Sequence, residues 1–411
     1  MVLTSRPAIN TVFTPRGAVI NRTVYVERPD LEKELGRALS GSLHAVIFGE
    51  SGNGKSWLYK KVIDDLQWHS IMANCANAAR FGSLTEAIVN ATKNSGEVTL
   101  DGYLETKGAN VAGAKLEHQK KYTMDGGEPL LAAFAKIHEQ AHEQPAVLIL
   151  DNLEQIFSSA KLMDELGNII TLLDDDRYAR YKIKILIVGV PAGVTEYFSK
   201  LKNLHTVANR LQEISEVGSL SDGQVKALVT KGLLDQLHIQ IDDFDFENWQ
   251  DHIYAVTLGV AQRVHEYCEQ LAYVAEEADW KGALRQIDQA DVNWLRIGLK
   301  ESYGVVEALM NERETKAGRR NQVLYAVGRI NTKTFTPTRV EEILRNHFPK
   351  STERVTLAVA QILAELAERT NSILRRTPKG DAFQFTDPRF AMAIRVMLKK
   401  SDDERVLKVE I

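Results

Sequence analysis

Residues Gly49, Glu50, Ser51, Gly52, Asn53, Gly54, Lys55 and Ser56 read G-E-S-G-N-G-K-S and fill every fixed position of the pattern G-x-x-x-x-G-K-[ST]. Glycines in such a loop let backbone N–H groups converge on phosphate oxygens. A helix opening at the loop's end turns its positive dipole end toward them. Lys55 then offers a cation to the β- and γ-phosphates of ATP, and the Ser56 hydroxyl offers a ligand to Mg2+. The cation also needs a carboxylate at the tip of a neighbouring strand, and Asp151, which ends the apolar run AVLILD, is placed for it. The plainer role for the same side chain is to cap the helix that follows.

These residues need a sheet to hold them. LHAVIF, at 43–48, is a short apolar run that breaks into the loop, and Leu58, Val62 and Leu66 then recur at helical spacing as an inward stripe. A strand is expected over 70–73, a helix over 84–92 and another over 130–142. Residues 94–129 are polar, Gly-rich and aperiodic, which predicts a long surface insertion. PAVLILD at 145–151 and IKILIVGVP at 183–191 are apolar without alternation, as buried parallel strands of an α/β fold are. From 219 the pattern turns helical, with helices expected over 222–237, 246–257, 259–278 and 291–310. The charged run ERETKAGRR reads as a linker or a solvated helix face. Helices over 321–330, 337–347 and 352–369 follow, then a strand in SILRR, a turn in TPKGD, a strand in AFQF and a last helix. Three helices and a two-stranded wing are the layout of a winged helix-turn-helix. The expected domains are a nucleotide-binding core over 1–218, an all-α lid over 219–310 and the winged-helix domain over 319–411.

A chain of 411 residues has room for two or three cores, and 44% hydrophobic with 26% charged residues is ordinary for a globular protein. The formal charge of −4 excludes a polycation that coats nucleic acid indiscriminately. The charge is uneven: from Glu301 onward 20 basic residues stand against 15 acidic ones, so the C-terminal part carries about +5 and the rest about −9. Cys75 and Cys268 are the only cysteines, which argues against a disulfide framework and a thiolate zinc site. The N-terminal residues read as no secretory signal, and no apolar run reaches membrane-spanning length, so neither a leader nor a membrane helix is expected. The expectation is a soluble, cytoplasmic protein with no membrane partner.

In order along the chain, YVERPDLEKEL (25–35), GESGNGKS, LILDNLE (148–154), IVGVPAG followed by VANRL (207–211), LGVAQRVHEYCEQLA (258–272) and the winged-helix pattern resemble the AAA+ superfamily, in its initiator-like branch. That branch holds origin-recognition ATPases, and secretion and transposition helper ATPases are similar. The resemblance runs from about Val24 to the end and implies a parallel-sheet P-loop core under an all-α lid. It implies that Arg210 is an arginine finger reaching a neighbouring subunit's γ-phosphate, and hence a homo-oligomer. An intradomain ion pair or an exposed arginine is the plain alternative. It places Arg28 near the adenine side of the nucleotide, again with an ion pair as rival. Three positions depart from the family. Asn152 stands where a Glu usually follows the metal-binding Asp, and an amide can orient a water but cannot take its proton. Glu154 is the nearest replacement. The strand at 183–190 leads into Gly189-Val190-Pro191 and lacks a polar sensor. In the lid, alignment on Gly259 puts Gln262 at the second sensor's position with Arg263 one step, about 100° of helix, away. Together these imply slow hydrolysis, a switch rather than a motor.

HEQAH, at 138–142, satisfies the zinc-protease pattern H-E-x-x-H, but no downstream third ligand is evident and both histidines fall at a helix C-terminus, where cations are favoured anyway. On the C-terminal domain, Arg375, Arg376 and Lys379 of the wing could meet DNA phosphates, with Lys350 and Arg354 at the start of the third helix. That helix has few side chains suited to reading base edges, so backbone contact with double-stranded DNA and docking of a partner protein both stay open. Two functions follow: a helper ATPase that acts on DNA or on a partner enzyme, or a STAND-type signalling switch of the kind found in bacterial antiphage systems.

Overall fold

The structure is a computed structural model that describes residues 6–17, 19–93, 128–142, 144–189, 197–199, 205–311, 318–368 and 372–411. It divides into two compact units, one of Glu27–Gly218 and one of Met1–Val26 with Ser219–Ile411.

The first unit is built on a parallel sheet of β1 (His44–Phe48), β2 (His69–Asn74), β3 (Ala146–Asp151), β4 (Ile183–Gly189) and β5 (Leu211–Glu213), in the spatial order β2-β3-β4-β1-β5. Successive residues of the central strands β1, β3 and β4 feed opposite cores, as a sheet covered on both faces requires. Val46, Leu148, Leu150, Ile185 and Ile187 face a core formed with helices Leu84–Lys93, Pro129–Gln140 and Ala160–Leu172. Ala45, Ile47, Val147, Ile149, Leu186 and Val188 face the other, with helices Pro29–Ser40 and Lys55–Leu66. The expected inward stripe holds at Leu58 and Val62, which are buried together with Tyr59 and Ile63; Leu66 is half-buried. Pro129, placed in the insertion from sequence, opens a helix, and 94–127 lie outside the described residues, as do Val190 and Pro191.

In the second unit the expected helix over 222–237 is α-helical only to Val229 and continues as a π-helical turn over Thr230–Gln236. The ring of Phe13 lies where a Cβ on Gly232 would stand, 2.3 Å away, and Lys231 donates to the Tyr25 carbonyl at 2.7 Å. The segment before Val26, expected with the nucleotide-binding core, therefore packs with the C-terminal unit. Three expectations are corrected here. Gly259 precedes helix Ala261–Glu277, in a left-handed conformation (φ 67°) close against the Leu220 carbonyl. The single helix expected over 291–310 is two, Gln286–Ile297 and Lys300–Leu309, broken at Gly298 beneath the Trp294 indole. The third helix of the C-terminal segment begins at Val359 rather than 352. Lys350 lies instead in a separate turn, Pro349–Thr352, and Arg354 in an exposed connection with φ 50°.

That segment runs through helices Arg319–Gly328, Pro337–His347 and Val359–Glu368 to an antiparallel pair, Leu374–Arg376 with Phe383–Phe385; residues 312–317 of the charged run are outside the described residues. Phe335 forms a separate antiparallel bridge by exchanging both backbone hydrogen bonds with Phe383, at 2.9 and 2.8 Å. The last helix, Pro388–Met397, carries the buried Arg395, whose guanidinium donates to the carbonyls of Ala255, Gly328 and Ile330. The buried Asp291 carboxylate meets His252 and Tyr267 at 2.8 Å and Lys399 at 3.2 Å. A closing hairpin, Leu398–Lys400 with Val406–Lys408, had no counterpart in the sequence reading.

Candidate nucleotide-binding site

The phosphate loop leaves the carboxyl end of β1, and Asp151 ends β3, with β4 lying between those two strands. Open parallel sheets bind ligands in this place, beyond the carboxyl ends of their strands. Gly52 and Gly54 adopt left-handed conformations (φ 85° and 88°), and helix Lys55–Leu66 starts at Gly54 without a side-chain cap. Its first N–H groups are thereby left for a ligand. The Lys55 ammonium donates back across the loop to the carbonyls of Gly49 at 2.8 Å and Glu50 at 3.0 Å. Burial lowers the Lys55 pKa, against the opposing pull of Glu154, Asp151 and Glu50, in that order.

Glu154 follows in the short 3-10 turn Leu153–Gln155, and its Oε2 is buried with no hydrogen-bond partner among the described residues. An unsatisfied carboxylate oxygen is costly, so its presence marks a place for a donor, a water or a cation. Asn152 is left-handed (φ 61°, ψ 47°), a conformation that Asn tolerates better than most residues, and its N–H donates to Asp151 Oδ1 at 2.8 Å. Lys55, Asp151 and Glu154 thus share one electrostatic neighbourhood. An uncapped helix start, an ammonium and an orphaned carboxylate oxygen suit a triphosphate with its magnesium ion, with Ser56 and Asp151 as the residues that could ligate the metal.

The structure adds Tyr59 to the residues read from sequence. It lies one helical turn beyond Lys55, its side chain is fully buried, and its hydroxyl donates to Asp151 Oδ2 at 3.3 Å. Its spacing of four from Lys55 was the available signal, obscured because an apolar stripe accounts for a tyrosine there equally well.

Other expected positions have different neighbours. Arg28 donates to the carbonyls of Asn53 and Gly218, both at 2.9 Å, and so ties the phosphate loop to the end of the first unit. Arg210 is bound to Asp174 at 2.6 Å and to the Thr206 carbonyl at 2.8 Å, the intradomain pairing that was the plain alternative to a finger. Gln262 and Arg263 belong to the second unit, where both hold Glu266, at 2.9 and 2.5 Å. His138 and His142 do not share a helical turn: the helix ends at Gln140 and His142 is left-handed (φ 50°). Among the described residues no group of three His, Cys, Asp or Glu could hold a metal ion.

Residues 38–198 match the AAA domain family. The segment that carries both the phosphate loop and Asp151 is therefore similar to an AAA domain. No curated protein matches the chain significantly. Among solved structures the chain is similar to a Walker-type ATPase of Pyrococcus abyssi, with 12% identity, a TM-score of 0.52 and coverage of 91% of this chain and 97% of that one. It is also similar to Cdc6p from Pyrobaculum aerophilum, with 16% identity, a TM-score of 0.46 and coverage of 94% and 97%. The ORC2 protein of Aeropyrum pernix, solved in ADPNP–ADP complexes, matches at 13% identity with a TM-score of 0.48, covering 92% and 96%. The likeness to the Pyrococcus structure shows a shared fold. Among the described residues no helix is long and apolar enough to cross a membrane.

Proposed function

We propose that the chain is an initiator-like AAA+ ATPase that binds ATP with Mg2+, hydrolyses it slowly, and acts as an oligomeric helper on DNA or on a partner enzyme. The observation that carries this reading is the meeting of Lys55, Asp151 and the unsatisfied Glu154 carboxylate at the strand ends, beside an asparagine in place of the usual glutamate. Lys55 exchanges its carbonyl acceptors for phosphate oxygens, and the loop N–H groups hold the remaining charge. Magnesium, when bound, neutralises charge on the phosphates. Glu154 is the only carboxylate after Asp151 in this stretch that could accept a proton from the attacking water, while Asn152 can only orient it. Slow turnover follows from a base two residues removed from its usual position.

The DNA side of the reading rests on the C-terminal segment, whose helices and three-rung wing suit a winged helix and whose Arg375 and Arg376 are exposed. A signalling nucleotide switch is the second reading, favoured by one observation: the candidate finger Arg210 is held inside its own unit by Asp174.

The deciding experiment is steady-state ATP hydrolysis by the full chain, with and without double-stranded DNA, with Lys55→Ala as the blank and Glu154→Gln beside it. The expected result is slow magnesium-dependent turnover above the blank that rises with DNA and falls at least tenfold in Glu154→Gln. Turnover equal to the blank with ATP still bound overturns the helper ATPase and leaves the switch.

A further inference from the structure

We propose that Tyr59 is a positioning residue for the magnesium ion, its buried hydroxyl holding the Asp151 carboxylate in the orientation in which it would ligate the metal. The proposal rests on the nucleotide-site reading above and names a residue that neither the phosphate-loop pattern nor the acidic strand end contains.

The geometry sets the direction of the hydrogen bond. The Tyr59 hydroxyl lies 3.3 Å from Asp151 Oδ2. A carboxylate can only accept, so the single phenolic proton goes to Asp151 Oδ2. Asp151 is fixed at both oxygens, Oδ2 by Tyr59 and Oδ1 by the Asn152 N–H at 2.8 Å. The Met72 sulfur, 3.7 Å from the hydroxyl, is too weak an acceptor to compete with the carboxylate for the proton. The tyrosine thus orients a metal ligand, and groups that do so carry a measurable part of the metal's affinity.

The test separates this role from packing. A fluorescent ATP analogue is titrated into the full-length chain in EDTA and across a magnesium series, for wild type, Tyr59→Phe, Asp151→Ala and the double variant. Tyr59→Phe removes one oxygen and keeps the ring; thermal melts run alongside verify that each variant is folded at the assay temperature. The quantity read is the ratio of analogue affinities with and without magnesium. It is expected to fall about ten- to a hundredfold in Tyr59→Phe. The double variant is expected to lose no more than Asp151→Ala alone, because the tyrosine hydroxyl acts through the carboxylate. A purely structural tyrosine lowers the melting temperature and leaves the ratio intact, and that result overturns the proposal, as does full additivity of the two losses. If wild type binds the analogue in neither condition, the nucleotide-site reading itself falls and takes the proposal with it.

Discussion

Gly49 opens the phosphate loop under a constraint that Gly49→Ala would test. Its φ of 146° is one that side-chain-bearing residues rarely adopt, and a Cβ built there lies 2.5 Å from the Val217 carbonyl oxygen and 3.2 Å from its carbon. Relief to an ordinary contact near 3.4 Å requires the backbones to part by about 0.9 Å. Val217 has little room to retreat, since it is fully buried and its N–H donates to the Phe48 carbonyl at 3.0 Å. Arg28 further anchors the next residue, Gly218, through its carbonyl at 2.9 Å. The disfavoured conformation costs about 1–2 kcal/mol, the forced separation about 1–3 and the weakened hydrogen bond about 1, so a loss of about 3–6 kcal/mol is expected. For a unit of this size that corresponds to a melting shift of roughly 6–24 °C. Differential scanning calorimetry on the full chain reads it, with Gly218→Ala as the control. A Cβ at Gly218 meets nothing within 4 Å, so its shift should stay within about 2 °C. A Gly49→Ala transition within that same margin would refute the reasoning, because it would mean the loop and the Val217 segment part without cost.

Glu165 accepts hydrogen bonds from Ser83 Oγ and from the N–H groups of Leu84 and Thr85, at 2.9, 2.9 and 2.8 Å, and so caps helix Leu84–Lys93 from outside. Burial alone would raise its pKa, but these donors together hold it below the ordinary carboxylate value. A depressed folded-state pKa contributes stability that is present above the unfolded value, near 4.5, and lost as pH falls through the folded value. Glu165→Gln should therefore cost about 1 kcal/mol at neutral pH, with the discount its half-exposed site requires, and melts of the two proteins should converge in acid; a gap that persists unchanged below pH ~3 would contradict this. Arg210→Ala should cut ATP turnover about tenfold or more, and mixing it with Lys55→Ala should restore part of the activity at mixed interfaces. Equal, small stability losses in Arg210→Ala and Asp174→Asn with unchanged turnover would instead assign Arg210 to its surface ion pair alone.

How much was legible beforehand depended on the range of the interaction. The phosphate loop, the stripe at Leu58 and Val62 and the strands bearing Asp151 and Gly189 were readable because loop chemistry and core periodicity are local. Helix boundaries around Gly259, Gly298 and Val359 were missed because each depends on a non-local neighbour or on a chain reversal that periodicity does not register. The π-helical turn at Thr230–Gln236 likewise accompanies a Phe13 ring arriving from more than two hundred residues away.

By itself, the sequence determined the chemistry available: a phosphate cradle, an ammonium, a strand-end carboxylate and the absence of a glutamate at Asn152, all of which are stated by residue type and spacing. Tertiary structure alone decided which of those groups meet. It set Arg210 against Asp174, gave Arg28 two backbone carbonyls and left Glu154 Oε2 without a partner among the described residues. It also placed the Tyr59 hydroxyl beside Asp151, ninety-two positions along the chain. The physical reason is that hydrogen bonds and ion pairs act over a few ångströms, and only the parallel stacking of β1, β4 and β3 brings residues so distant in sequence within that reach.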